Sequence, residues 1–119
     1  MLNLKKWNDL TDEPLTLENV KKIYDPLKVY RVQYNHWDPA NSINGFWAKT
    51  AGYTTYYIQQ GTIIFINEET KEEVTAGPGC IVKLPRGDYL FRITSDIRLE
   101  FIQVLEWPDG WPKNKDLDI

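Results

Sequence analysis

From Lys28 to Trp107 the chain runs in period two, and that alternation restricts its fold more than any other feature. Successive side chains of a strand point to opposite faces, so KVYRVQY, with Tyr30, Val32 and Tyr34 set against Val29, Arg31 and Gln33, reads as a strand with two distinct faces. NHWDPANSING follows as a loop rich in turn formers. FWAKTAGYTTYYIQQG predicts two strands broken near Ala51–Gly52, and TIIFI predicts another. NEETKEE is a charged hairpin tip, EVTAGPG leads into a turn, and CIVKLP is a strand ended by the turn RGD. YLFRIT and IRLEFIQVLEW flank a turn at Ser95–Asp96. Many short strands punctuated by glycine and proline predict an all-β antiparallel sandwich or barrel.

One helix is predicted ahead of the strands. Thr16 can cap it, and Leu17, Val20, Ile23 and Tyr24 fall at helical spacing. Asp25–Pro26 ends it, because a residue before proline avoids the helical region. The expected organisation is a single domain: an N-terminal extension with this helix over 1–27, a barrel over 28–107 and a tail over 108–119. Trp107 and Trp111, in two Trp-Pro pairs, are expected to pin the tail onto the barrel or onto a second subunit. Edge strands are liable to pair across a two-fold axis, so a homodimer is expected.

Composition removes several classes of function. Seventeen acidic against fourteen basic side chains leave a net charge of −3, which argues against a nucleic-acid partner. No apolar run approaches the roughly 20 residues that span a bilayer, and the start MLNLKKWNDL has no signal-peptide core. No membrane association is expected. A lone Cys80 excludes an internal disulfide and suits the cytoplasm, where it is expected to be a small buried hydrophobe.

Two stretches resemble the motifs of the cupin superfamily. In GPGCIVKLPRGDY, Gly79, Pro85 and Gly87 match the second cupin motif. In YYIQQGTIIFI, Gly61 takes the glycine that closes the first, and EEVTAGPG resembles the lead-in between them. The resemblance covers about residues 43 to 105 and implies a small single-domain antiparallel jelly-roll barrel. It also assigns the positions at which such barrels hold a metal. Here they carry Trp47 and Lys49 in place of two histidines, Thr54 in place of a glutamate and Leu90 in place of the last histidine. A site of that kind needs about four ligands, mostly imidazoles, and this chain contains one histidine, His36. No metal and no other cofactor is expected.

The same alignment implies that Trp47, Lys49, Thr54, Tyr56, Ile58, Leu90 and Arg92 point into the barrel, with Phe101, Gln103 and Leu105 favoured on the last strand. That would make a pocket walled by Trp47, Tyr56, Ile58 and Leu90, with Lys49, Thr54, Arg92 and Gln103 as its polar points. Apolar walls with a few polar groups suit a small polar or anionic molecule. Each residue also has a plainer reading: Lys49 as a solvated rim residue, Trp47 as core, Arg92 as the cross-strand partner of Glu73 or Glu100. His36, in the loop beside Asp38, has the natural titration range of a general base, though a surface role fits a loop residue as well. Two functions follow. One is a metal-free acid–base isomerase, epimerase, cyclase or lyase on a sugar-like or carbonyl substrate, with Lys49, Tyr56 and His36 handling protons. The other is a non-catalytic protein that only holds its ligand.

Overall fold

In the computed structural model the alternating segments become two facing antiparallel sheets. The structure describes residues 3–24, 30–39, 46–50 and 53–106. The strands are β1 (Asn3–Lys6), β2 (Tyr30–Trp37), β3 (Phe46–Thr50), β4 (Tyr53–Gln60), β5 (Ile63–Asn67), β6 (Glu73–Ala76), β7 (Cys80–Leu84), β8 (Gly87–Ile93) and β9 (Leu99–Glu106). A five-stranded sheet has the order β1-β7-β4-β9-β2, and a four-stranded sheet the order β3-β8-β5-β6. Strands distant in sequence are therefore neighbours, and the two inner faces close on one core.

The punctuation of the chain sets the strand ends. Gly61 adopts φ +85°, and a Cβ there would lie 3.0 Å from Ser95 Oγ and 3.1 Å from Leu99 Cα, so the β4–β5 turn needs glycine. Asn67 closes the β5–β6 hairpin by accepting from the backbone N–H groups of Glu69 and Thr70. Helix α1 (Leu17–Tyr24) starts at a true cap, with Thr16 Oγ1 accepting from Asn19 N–H at 3.1 Å.

α1 packs on the outer face of the five-stranded sheet. There Val20 and Trp7 are buried against Tyr57, Ile81, Ile102 and Val104, with Val32 and Tyr24 beside them. The Tyr24 and Tyr57 hydroxyls meet at 2.5 Å. Trp7 donates through its indole N–H to Glu13 O at 2.6 Å, which ties the first turn to the segment before the helix. Ile23, which belongs to the apolar stripe in sequence, is instead exposed.

Two expectations of chain organisation are corrected. The segment 1–27 is not only an extension, because β1 pairs with β7 from Asn3↔Lys83 to Lys6↔Cys80 and completes the five-stranded sheet. The loop expected at Asn35–Trp37 is strand. β2 pairs with β9 without interruption from Tyr30↔Glu106 to Trp37↔Leu99, and the Trp37 ring packs 4.5 Å from Phe101. Cross-strand packing outweighs the turn preference of Asn35. Trp107, Trp111 and the remaining tail lie outside the described residues.

Candidate functional site

The core between the sheets is aromatic. Tyr56 lies with its ring centroid 5.0 Å from Phe65, 5.3 Å from Phe101 and 5.8 Å from Phe91, and Trp37 closes the group at 5.6 Å from Phe91. Phe65, Phe91 and Phe101 are fully buried. Tilted and edge-on rings at these separations fill space with favourable quadrupole contacts. Among the described residues they form an aromatic plug between the two sheets.

Beyond the plug, toward the start of β2 and the end of β9, the inner rows turn polar. Strand register orders them. One row runs Gln33, Gln103, Tyr56, Val82, and the next, nearer the end, runs Arg31, Leu105, Thr54, Leu84. Gln33 Nε2 donates to Gln103 Oε1 at 3.0 Å, and Gln103 Nε2 donates to the Tyr56 hydroxyl at 3.3 Å. Three neutral polar groups from three strands thus form one chain along the inner wall. Gln33, Gln103 and Arg31 are half-buried, while Thr54 is only 3% exposed.

Electrostatics set what this chain can do. Burial pushes the Tyr56 hydroxyl far above the usual tyrosine range, opposed in part by the Gln103 hydrogen bond. Tyr56 therefore keeps its proton at neutral pH. Since it already accepts from Gln103, that proton is available for donation. A group so placed orients an acceptor well and abstracts a proton poorly.

The residues singled out from sequence divide into groups. Thr54, Tyr56, Ile58 and Gln103 all stand on inner rows, Ile58 within the aromatic plug. Leu90 and Arg92 do not. On β8 the buried residues are Tyr89, Phe91 and Ile93, which puts Leu90 and exposed Arg92 on the outer face. This corrects the expected orientation, because a register shift of one residue exchanges every side chain between faces. Trp47 and Lys49 stand opposite Leu90 and Asp88 in the register, and their side chains lie outside the described part of the structure.

His36 is likewise corrected from loop to strand. It is exposed on the outer face of the five-stranded sheet, across from Glu100, so the sheet separates it from Tyr56. Glu100 accepts from Tyr34 at 3.0 Å and Gln60 at 3.1 Å and lies 3.5 Å from Arg98, and Glu73 lies across β5 from Arg92. Arg92 has neither of its expected carboxylate partners.

Gln33 and Arg31 were not singled out. Their signal was present in KVYRVQY, where the more polar alternate set turns out to face the barrel. Val32 of the apolar set goes instead to the layer under α1.

Two sheets with these strand orders and this inner core define the cupin fold. Among solved structures, the chain is similar to the acireductone dioxygenase from Bacillus anthracis with a cadmium ion in its active centre, at 16% identity and TM-score 0.63, covering 92% of this chain and 80% of that one. It is similar to the EutQ protein of Clostridium difficile at 17% identity and TM-score 0.54, covering 92% and 70%. A DUF861 family protein from Thermotoga maritima matches at 15% identity and TM-score 0.51, covering 85% and 97%. No family model matches the chain. No curated protein matches it either.

The metal that the resemblance to cupins raises finds no suitable donor set among the described residues. Among the described residues no three or more His, Cys, Asp or Glu side chains cluster. Threonine and tyrosine hydroxyls and glutamine amides are poor ligands for a transition ion, and the one imidazole of the sequence faces outward.

Proposed function

We propose that this cupin-fold protein binds a small polar or anionic molecule between its sheets, at the end marked by Arg31 and Thr54, in the cytoplasm and without a metal. The observation that carries the reading is the hydrogen-bonded chain Gln33–Gln103–Tyr56, set on inner rows beside Thr54 and backed by aromatic rings. Apolar backing with a few convergent polar groups is what orients a small ligand. The Tyr56 proton and the amides suit carbonyl, carboxylate or hydroxyl oxygens. Arg31, in the row next to the end, adds a cation for an anionic group.

Holding a ligand fits this geometry better than turning it over. Tyr56 retains its proton, and His36 stands on the far side of the sheet, so these two proposed proton handlers do not converge. The test is a thermal-shift screen against sugars, nucleotide sugars and carboxylic acids, since a ligand held by the native state raises its stability. A ligand of this site loses affinity in Gln103→Ala and Arg31→Ala and keeps it in His36→Ala. Binding unaffected by the first two variants, or a stoichiometric transition metal in the purified protein, sinks the reading.

A further inference from the structure

The layer that α1 lays over the five-stranded sheet contains a hollow of its own. It lies between the turn that follows β1 and the helix, and it measures about 270 Å³. Trp7, only 3% exposed, forms its base, and Leu10 and Ile23 stand at its sides. Leu10 is 58% exposed and Ile23 48%, so two of the large apolar side chains left open to solvent meet at one concave place. Ile23 continues the apolar stripe of α1, and the hollow is what that last member of the stripe faces.

Its walls are held in place by hydrogen bonds. The Trp7 backbone N–H donates to Gly79 O at 2.8 Å, and Leu10 N–H donates back to Trp7 O at 2.9 Å. The Trp7 indole is fixed by Glu13 O, and Asn19 Nδ2 donates to Pro14 O at 2.8 Å, which fastens the turn segment to α1. A hollow already formed spares a ligand the cost of ordering it. Two charges complete the lining, Glu13 from the turn segment and Lys22 from α1. Both are exposed, and among the described residues neither forms an ion pair, with the other or with a third group.

We infer that this hollow binds a free apolar α-amino acid, with the side chain among Trp7, Leu10 and Ile23, the carboxylate on Lys22 and the ammonium on Glu13. Charge complementarity selects the class. An apolar acid would pair with Lys22 and face Glu13 as a like charge, and an apolar amine would do the reverse. An apolar α-amino acid carries both charges on the carbon that bears its side chain and satisfies both groups. The volume agrees, because it falls just under the roughly 300–1,000 Å³ of pockets that enclose drug-sized ligands. A guest this small beside an exposed rim binds in about the millimolar range. The inference is independent of the site between the sheets, since the five-stranded sheet separates the two, and either can fail without the other.

Calorimetric titration of the full chain with L-leucine and L-phenylalanine tests it, and one saturable site is expected, with glycine weaker by about fivefold or more. Ile23→Ser and Leu10→Ser, at exposed positions that the fold tolerates, should each weaken leucine by about threefold or more. Leucine amide and N-acetylleucine, which lack one charge each, should bind up to about fivefold more weakly than leucine. Lys22→Gln should abolish the preference for leucine over its amide, and Glu13→Gln the preference over N-acetylleucine. The absence of saturable binding overturns the inference, as does binding indifferent to Ile23→Ser and Leu10→Ser. So does N-acetylleucine amide binding as tightly as leucine, which would assign the hollow to a side chain of a peptide, or a preference for leucine that survives both charge-removing variants.

Discussion

Gln103 Nε2 donates to the Tyr56 hydroxyl at 3.3 Å while Gln103 Oε1 accepts from Gln33, so a single amide bridges β4 and β2 across β9. Tyr56→Phe removes the terminal acceptor and leaves half of the Gln103 amide without its partner. The expected loss is about 1 kcal/mol of stability, read as a lower urea midpoint at unchanged m-value. Gln103→Leu, which removes the amide as well, should leave the Tyr56 hydroxyl buried and unpaired and cost more than Tyr56→Phe. Equal midpoints for wild type and both variants would show that the chain contributes nothing to the fold.

Stability should decline in alkali through Tyr56. Its folded-state pKa is raised above the ordinary tyrosine value of 10.0 by burial, so above pH 10 the unfolded chain binds fewer protons than the folded one. The contribution is complete below pH 10 and decreases by about 1.4 kcal/mol per pH unit above it. Urea midpoints of wild type and Tyr56→Phe between pH 8 and pH 11 check this. The wild type should fall more steeply beyond pH 10, and parallel curves would mean that Tyr56 ionises freely in the native state.

Gly61→Ala should destabilise the protein by more than the small gain an alanine brings elsewhere through the unfolded chain. The position has φ +85°, and the new Cβ would meet Arg98 O and Leu99 Cα, each at 3.1 Å. A drop of about 1–3 kcal/mol in denaturant unfolding is expected. Retained or increased stability would show that the β4–β5 turn can adopt another conformation.

Phe91→Ala removes a fully buried ring that touches Tyr56, Phe65 and Trp37. The expected cost is about 3–5 kcal/mol, enough to unfold a marginal domain at moderate temperature. Arg92→Ala on the same strand, one residue away and on the outer face, should stay within about 0.5 kcal/mol in a stability measurement on the monomer. A large effect at Arg92 and a small one at Phe91 would reverse the orientation of β8.

Thr16→Ala deletes the side-chain oxygen that holds Asn19 N–H at the start of α1. A loss of about 1 kcal/mol is expected, recovered in large part by Thr16→Ser. An alanine variant as stable as wild type would place the helix start elsewhere.

Much of this fold was legible along the chain because its signals are local. Thr16 and the Leu17–Tyr24 spacing mark a helix whether or not anything packs on it. Ala51–Gly52, Gly61 and Pro85 interrupt the alternation wherever the flanking strands go. The shortage of imidazole is a matter of counting, and no arrangement of one histidine makes a three-histidine site. These features rest on backbone preferences and chemical identity, which need no partner.

The direction each strand faces was decided only in three dimensions. Period two separates two sets of side chains but does not say which set meets the barrel. Hydrophobicity usually chooses, and here it could not. α1 and Trp7 bury the outer face of β4 and β9 under Tyr57, Ile102 and Val104, so both sets are apolar there. On β2 the polar set Arg31 and Gln33 went inward because Val32 was taken by that outer layer, and on β8 Phe91 displaced Leu90 and Arg92 from the interior. A side chain's face is a property of the register between strands far apart in sequence, and only the assembled sheets contain it.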